Sequence, residues 1–268
     1  MKNDPILTAI DNLSTADTPG LAKALTHKSN LVAAKAAKIA GDRLLPELIP
    51  QLSTAFHRFL LKDDKGCTAL MAIARTLVTL DCDDADLFRK GIRHVQMEGS
   101  WGPPIDAASE LRAICAMGLA NTRDPNKTRD LVNLLADPEW LARGGAARAL
   151  AAAGSDDAAM VLRYKNLTGD KEPDVLCDCL RASLALEGAD ALPLAQRWLA
   201  HKDPAFRDAA IHALGESRRE DALEILKALH GRSTDPELKA TIVLAIKAGR
   251  TEEGMKFVTF LESDGIHG

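Results

Sequence analysis

One recurring unit constrains this chain more than any other feature. "DPEWLARGGAARALAAAG" (137–154), "EPDVLCDCLRASLALEG" (172–188), "DPAFRDAAIHALG" (203–215) and "DPELKATIVLAIKAG" (235–249) share one plan. Each opens on an acidic residue and proline, runs through an alanine-rich apolar stretch, and stops at glycine. The prolines stand at 138, 173, 204 and 236, a period that fits one helical hairpin per repeat. Such a hairpin cannot bury its apolar face alone, so it must stack on its neighbours.

The chemistry of the unit predicts its shape. Asp137, Asp203 and Asp235 are placed to cap a helix, with the adjoining proline tolerated in the first turn because no N–H is needed there. Gly154, Gly188, Gly215 and Gly249 are expected to supply the left-handed residue that ends it. Alanine faces such as Ala146/Ala149/Ala153 and Ala209/Ala210/Ala213 let helices approach to the short end of the usual ~8–10 Å range. Apolar residues make up 46% of the chain but aromatics only 4%, so this small-residue packing must supply the core.

Shorter amphipathic helices fall between these units, at 127–136, 156–167, 191–200 and 220–230, with Leu or Val at helical spacing. The first half follows the same alternation less cleanly, and helices are expected near 18–26, 29–40, 42–61, 65–80, 83–97 and 105–120. No segment sustains a period of two, so no strands are predicted. The fold class is all-α.

The "D-P-x-x-x-x-x-x-A-A-x-A-L-x-x-x-G" units resemble HEAT repeats, particularly the short HEAT-like kind of phycobilin lyase subunits and many bacterial proteins. The resemblance covers 124–250 clearly and 18–121 in degenerate form. It implies a right-handed α-α superhelix of antiparallel helix pairs, whose second helices line a concave surface. Residues 1–268 then form a single solenoid of about seven pairs. Residues 252–263 are expected to be a C-terminal capping helix, covering the last repeat with Met255, Phe257, Val258, Phe260 and Leu261.

Chemistry is sparse. There is no P-loop and no strand leading into a GxGxxG turn. The glycines of "RGGAARA" (143–149) lie inside a repeat helix, where close packing explains them. No histidine sits at ligand spacing with a neighbour, and the thiols of "CDC" (177–179) point about 200° apart around a helix, too far to share a metal easily. Iron-binding hydroxylases of the HEAT class carry His-Glu dipeptides, and this chain has none. No catalytic residue, cofactor or metal is assigned.

The formal net charge of -4 argues against a general nucleic-acid binder, which needs a basic surplus to displace counterions. Arg143, Arg148 and Arg181 are matched by nearby carboxylates. The amino-terminal stretch lacks the uninterrupted apolar core of a secretion signal, and no run nears the ~18 residues needed to span a membrane. Five cysteines, mostly in helix-like apolar runs, read as reduced thiols, so a cytoplasmic protein is expected, and capping by the C-terminal helix predicts a monomer.

"MEGSWGPPIDAASELR" (97–112) breaks the pattern. Asp106 and Arg112 stand six apart, as do Asp137 and Arg143, and HEAT repeats resemble this in using an Asp and an Arg as a ladder between repeats. Those four are read as structural. "RHVQMEGSWGPPIDAASELR" is also similar to an element shared by one group of bacterial HEAT-like proteins. Trp101 among Gly and Pro is either a packing element or part of a recognition loop. Arg93, His94, Glu98, Trp101 and Glu110 are the candidate partner-binding residues. The expected function is a non-catalytic protein-interaction scaffold using the concave surface. The alternative is an enzyme or enzyme subunit on the same fold, either chromophore lyase-like or a DNA base-excision glycosylase.

Overall fold

Each proline-led helix begins where a carboxylate closes its first turn. Asp203 accepts from the Ala205 amide and Asp235 from the Glu237 amide, each with proline in the first turn. Asp137 accepts from the Glu139 amide at 2.8 Å. In the copy that starts at Glu172 the cap is displaced, and Asp170 instead accepts from the Glu172 amide at 3.0 Å.

The computed structural model describes residues 5–62, 64–99 and 101–264. Packing divides the chain into two units, Met1–Ala153 and Gly154–Gly268. The first contains α1 (Pro5–Asn12), α2 (Thr18–Leu25), α3 (Asn30–Asp42), α4 (Ile49–Leu60), α5 (Thr68–Thr79) and α6 (Ala85–Ile92). It continues through two short strands, β1 (Met97–Glu98) and β2 (Ile105–Asp106), to α7 (Ser109–Asn121), α8 (Lys127–Leu134) and α9 (Trp140–Ala153). The second contains α10 (Asp156–Thr168), α11 (Pro173–Glu187), α12 (Leu192–Gln196), α13 (Pro204–Glu216), α14 (Glu220–Arg232), α15 (Pro236–Gly249) and α16 (Glu252–Asp264).

Both units use one rule. In the first, α2, α4, α6 and α8 each pack on the helix that follows, and α3, α5, α7 and α9 pack on one another in a row. In the second, α10, α12 and α14 pair with α11, α13 and α15, which again form a row. The fold is an all-α superhelical repeat with almost no sheet.

The repeat glycines do two different jobs. Gly154 and Gly188 hold φ of 69° and 60° and end their helices in the expected left-handed way. Gly215 and Gly249 do not. They lie within α13 and α15, and the left-handed residues there are Arg218 and Arg250, at φ 59° and 53°. The reason is close approach: a Cβ on Gly215 would fall 2.4 Å from the Ala245 carbonyl oxygen, and one on Gly249 would fall 2.3 Å from the Gly215 oxygen.

Helix bounds depart from expectation at α4, which starts at Ile49 rather than near 42, and around the Trp101 connection. The helix expected over 83–97 stops at Ile92, and the one expected over 105–120 starts at Ser109. Between them β1 and β2 pair antiparallel, Met97 opposite Asp106 and Glu98 opposite Ile105. Strands of two residues are too short to leave an alternating pattern in sequence. At the carboxyl end, α16 buries Val258 against the core that includes Ile242, Ala245 and Ile246, with Phe257 half-buried. Met255 and Phe260 stay exposed, so α16 covers α15 with a narrower face than the five apolar residues suggested.

Close helix approach makes a testable demand in the first unit. A Cβ on Gly145 of α9 would lie 2.4 Å from the Ala113 Cβ and 2.5 Å from its Cα on α7. Alanine is favoured over glycine by roughly 1 kcal/mol in an unhindered helix. Here the obstacle includes backbone, so overpacking should win and Gly145→Ala should lose roughly 1–3 kcal/mol in urea unfolding. Gly231→Ala on α14, where nothing lies within 4 Å, should be neutral or slightly stabilising.

Candidate functional site

The connection between α6 and α7 is shaped by a buried arginine. Arg112, in the first turn of α7, is 1% exposed. Its Nη1 donates to Asp106 Oδ2 at 2.6 Å and to the His94 carbonyl at 2.9 Å. Its Nη2 donates to Asp137 Oδ1 at 2.9 Å, just before α9. One guanidinium thus ties the start of the connection, its end and the next repeat together. Arg143 takes a different partner set, donating to the Asp137 and Pro138 carbonyls, both at 2.9 Å.

Asp106 is a hub in its own right. Its Oδ1 accepts from the Gln96 amide at 3.1 Å and the Ala108 amide at 2.9 Å. Burial pushes its carboxyl up, but those two amides, the Arg112 hydrogen bond and the Arg112 charge more than offset this and leave it below the ordinary carboxylate value. For Arg112 burial works against the charged form, and Asp137 and Asp106 outweigh it.

A second anchor holds the connection to the turn before α5. Gln96 Nε2 donates to the Asp64 carbonyl at 2.8 Å and to Glu98 Oε1 at 2.6 Å. Glu98 Oε1 also accepts from the Gly66 amide at 2.6 Å. These two bonds, with the Lys65 charge, hold the Glu98 carboxyl below its ordinary value against a smaller desolvation effect. Asp64 is fully buried and accepts from Asn30 Nδ2, the Ala69 amide and the Leu70 amide at 2.8–3.1 Å.

Between these anchors lies a cleft of about 560 Å³. It is lined by Leu60, Leu61, Lys62, Asp64 and Lys65 from the end of α4 and the turn before α5, and by His94, Gln96, Met97, Glu98 and Gly99 from the connection. Leu61 and Met97 are 88% and 59% exposed, and Trp101, two residues past Gly99, is fully exposed.

The five candidate residues therefore separate. His94 and Glu98 meet in the cleft, and Trp101 stands next to it in the chain. Arg93 points elsewhere: it pairs with Asp130 at 3.2 Å, beside a smaller recess that includes Asn133 and Leu134. Glu110 pairs with Arg75 on α5 at 2.5 Å, with both side chains half-exposed. Sequence reasoning missed Asp64, Gln96, Lys62 and Lys65. The only signal was the polar "KDDKG" run at 62–66 between two apolar helices.

Among the described residues, no group of three His, Cys, Asp or Glu is placed to hold a metal ion. Cys67, Cys82, Cys115, Cys177 and Cys179 are free thiols. No helix of the described residues is long and apolar enough to cross a membrane. Of the arginines noted for charge, Arg181 pairs with Glu216 at 2.8 Å.

Residues 163–247 match the model of HEAT repeats. That segment is therefore HEAT-like in sequence as well as in its helical-hairpin packing. The sequence matches no curated protein. Among solved structures, a complex of CpcE and CpcF of phycocyanin lyase from Nostoc sp. PCC7120 is similar at 17% identity and a TM-score of 0.42, covering 92% of this chain and 79% of that one. Human deoxyhypusine hydroxylase is similar at 17% identity and a TM-score of 0.35, with 92% and 91% covered.

The buried bridge gives two expected outcomes. Arg112→Ala strands two carboxylates in a dry site and should cost roughly 3–5 kcal/mol in urea unfolding. Asp106→Asn keeps an oxygen for the Gln96 and Ala108 amides but loses the charge facing Arg112. Because the folded Asp106 pKa lies below its unfolded value, its stabilisation is complete above the unfolded pKa and is lost as pH falls through the folded one. The stability gap between wild type and Asp106→Asn should stay constant from neutral pH down to about pH 5 and narrow below about pH 4.

Proposed function

We propose that this chain is a non-catalytic protein-interaction scaffold. Its recognition element is the α6–α7 connection and the adjoining cleft, bordering the row of second helices. One observation carries the reading. Trp101 is fully exposed on a connection whose two ends are pinned by buried polar groups. A tryptophan left in water has no role in the fold, whereas on a partner it can bury a large area at little rotamer cost. The anchors matter as much as the ring, because a connection already ordered loses less entropy on binding. HEAT repeats supply the matching architecture over 163–247.

The test is affinity purification with the full chain as bait, followed by mass spectrometry, with wild type and Trp101→Ala compared in parallel. The expected result is a protein retained by wild type and lost with the variant. Purified together, the two should show a loss of at least about 2 kcal/mol in affinity for Trp101→Ala. Urea unfolding of the variant should stay within about 0.5 kcal/mol of wild type. A variant that loses roughly 3–5 kcal/mol of stability would instead make Trp101 a packing residue. Equal retention by both proteins would remove the connection as the recognition element.

A further inference from the structure

Beyond an exposed tryptophan, the cleft has an electrostatic character that narrows what can occupy it. Its lining carries four charged side chains, and the two carboxylates are already held by neutral donors within the protein. Asp64 is buried with three donors on its carboxylate, and Glu98 is held by the Gly66 amide and Gln96. Lys62 and Lys65 are exposed, and among the described residues neither makes an ion pair with a carboxylate. Their exposed ammonium groups line the cleft together with the exposed apolar side chains of Leu61 and Met97.

Trp101 lies within reach of the same surface. Two residues of chain span at most about 7 Å, so its Cα stays within that distance of Gly99 on the cleft wall. The result is a set of exposed apolar side chains with two exposed lysines among them, in a chain whose formal net charge is -4. Attraction from such a local charge acts only within a Debye length, about 8–10 Å at ordinary salt. It therefore selects groups seated in the cleft rather than anionic molecules at large.

We propose that the cleft docks an acidic, apolar peptide segment of a partner protein, with a carboxylate side chain facing Lys62 and Lys65 and an apolar side chain on Leu61, Met97 and Trp101. This rests on the scaffold reading above and adds the chemistry of the partner. A polynucleotide fits less well, because two lysines neutralise few phosphates.

The test pans a displayed library of random short peptides against the full-length protein. Enriched sequences are synthesised and titrated against wild type, Lys62→Glu/Lys65→Glu, Lys62→Arg/Lys65→Arg and Trp101→Ala. The expected enrichment combines Asp or Glu with a large apolar residue. Charge reversal should weaken binding by roughly tenfold or more, the arginine pair should restore it, and raised salt should weaken the wild-type complex. Circular dichroism should show the exposed-lysine variants folded. Enriched peptides that are neutral or basic, lose affinity in Trp101→Ala and ignore charge reversal would overturn the acidic assignment and leave the scaffold reading standing. Peptides insensitive to all the variants, or no enrichment, would overturn both. Retention of a random single-stranded oligonucleotide, abolished by charge reversal, would overturn the peptide assignment in favour of nucleic acid.

Discussion

The geometry of the first unit's irregular connection depends on one buried cation. A guanidinium removed from water is tolerated only where acceptors replace its hydration, and Arg112 finds two carboxylates and a carbonyl. Each acceptor comes from a different stretch of chain: the start of the connection, its end, and the turn before α9. Two of the three acceptors, the His94 carbonyl and Asp106, lie near the two ends of the 93–108 segment, so the one charge holds both ends. Packing alone would not, since most large side chains of this segment are exposed.

That path inverts the usual partition of polar and apolar groups. Gln96, Glu98 and Asp106 are turned toward partners in the protein, while Val95, Met97, Trp101 and Ile105 are exposed. A connection that only joined two helices would do the reverse, burying its apolar side chains or having none. Single exposed apolar residues are ordinary, but several held on one braced segment mark an interaction surface. The second anchor, from Gln96 and Glu98 to the turn at Asp64–Gly66, sets the width of the cleft between them.

Much of the fold was legible because its determinants are local and repeated. Asp-Pro marks a helix start by capping chemistry that acts within three residues, and it worked at Asp137, Asp203 and Asp235. The glycines were half legible. Gly215 and Gly249 sit at the expected place in the repeat, but their reason is the backbone of the neighbouring helix, which a local reading does not contain. The six-residue spacing of Asp106 and Arg112 pointed to their pairing, whereas Arg93 and Glu110 were drawn away by Asp130 and Arg75, each distant in sequence. Gln96 left no trace, and Asp64 only the polar run around it, since a hydrogen bond across more than thirty residues has no pattern to betray it.

Where the repeats are regular, stacking dictates nearly everything. A short turn, a capped start and a small-residue face suffice, and residues 163–247 match HEAT repeats on that basis. The α6–α7 connection satisfies none of that economy. It spends two carboxylates and a buried arginine on holding an extended segment that the helix pair does not need for its own packing. A two-residue ladder contributes little stability of its own, so the polar bridge, not the sheet, keeps the segment in place. Polar groups buried at such cost fix a conformation rather than strengthen a core. The conformation fixed here is the one that leaves Trp101 in water, two residues past Gly99 in the cleft that Lys62 and Lys65 also line.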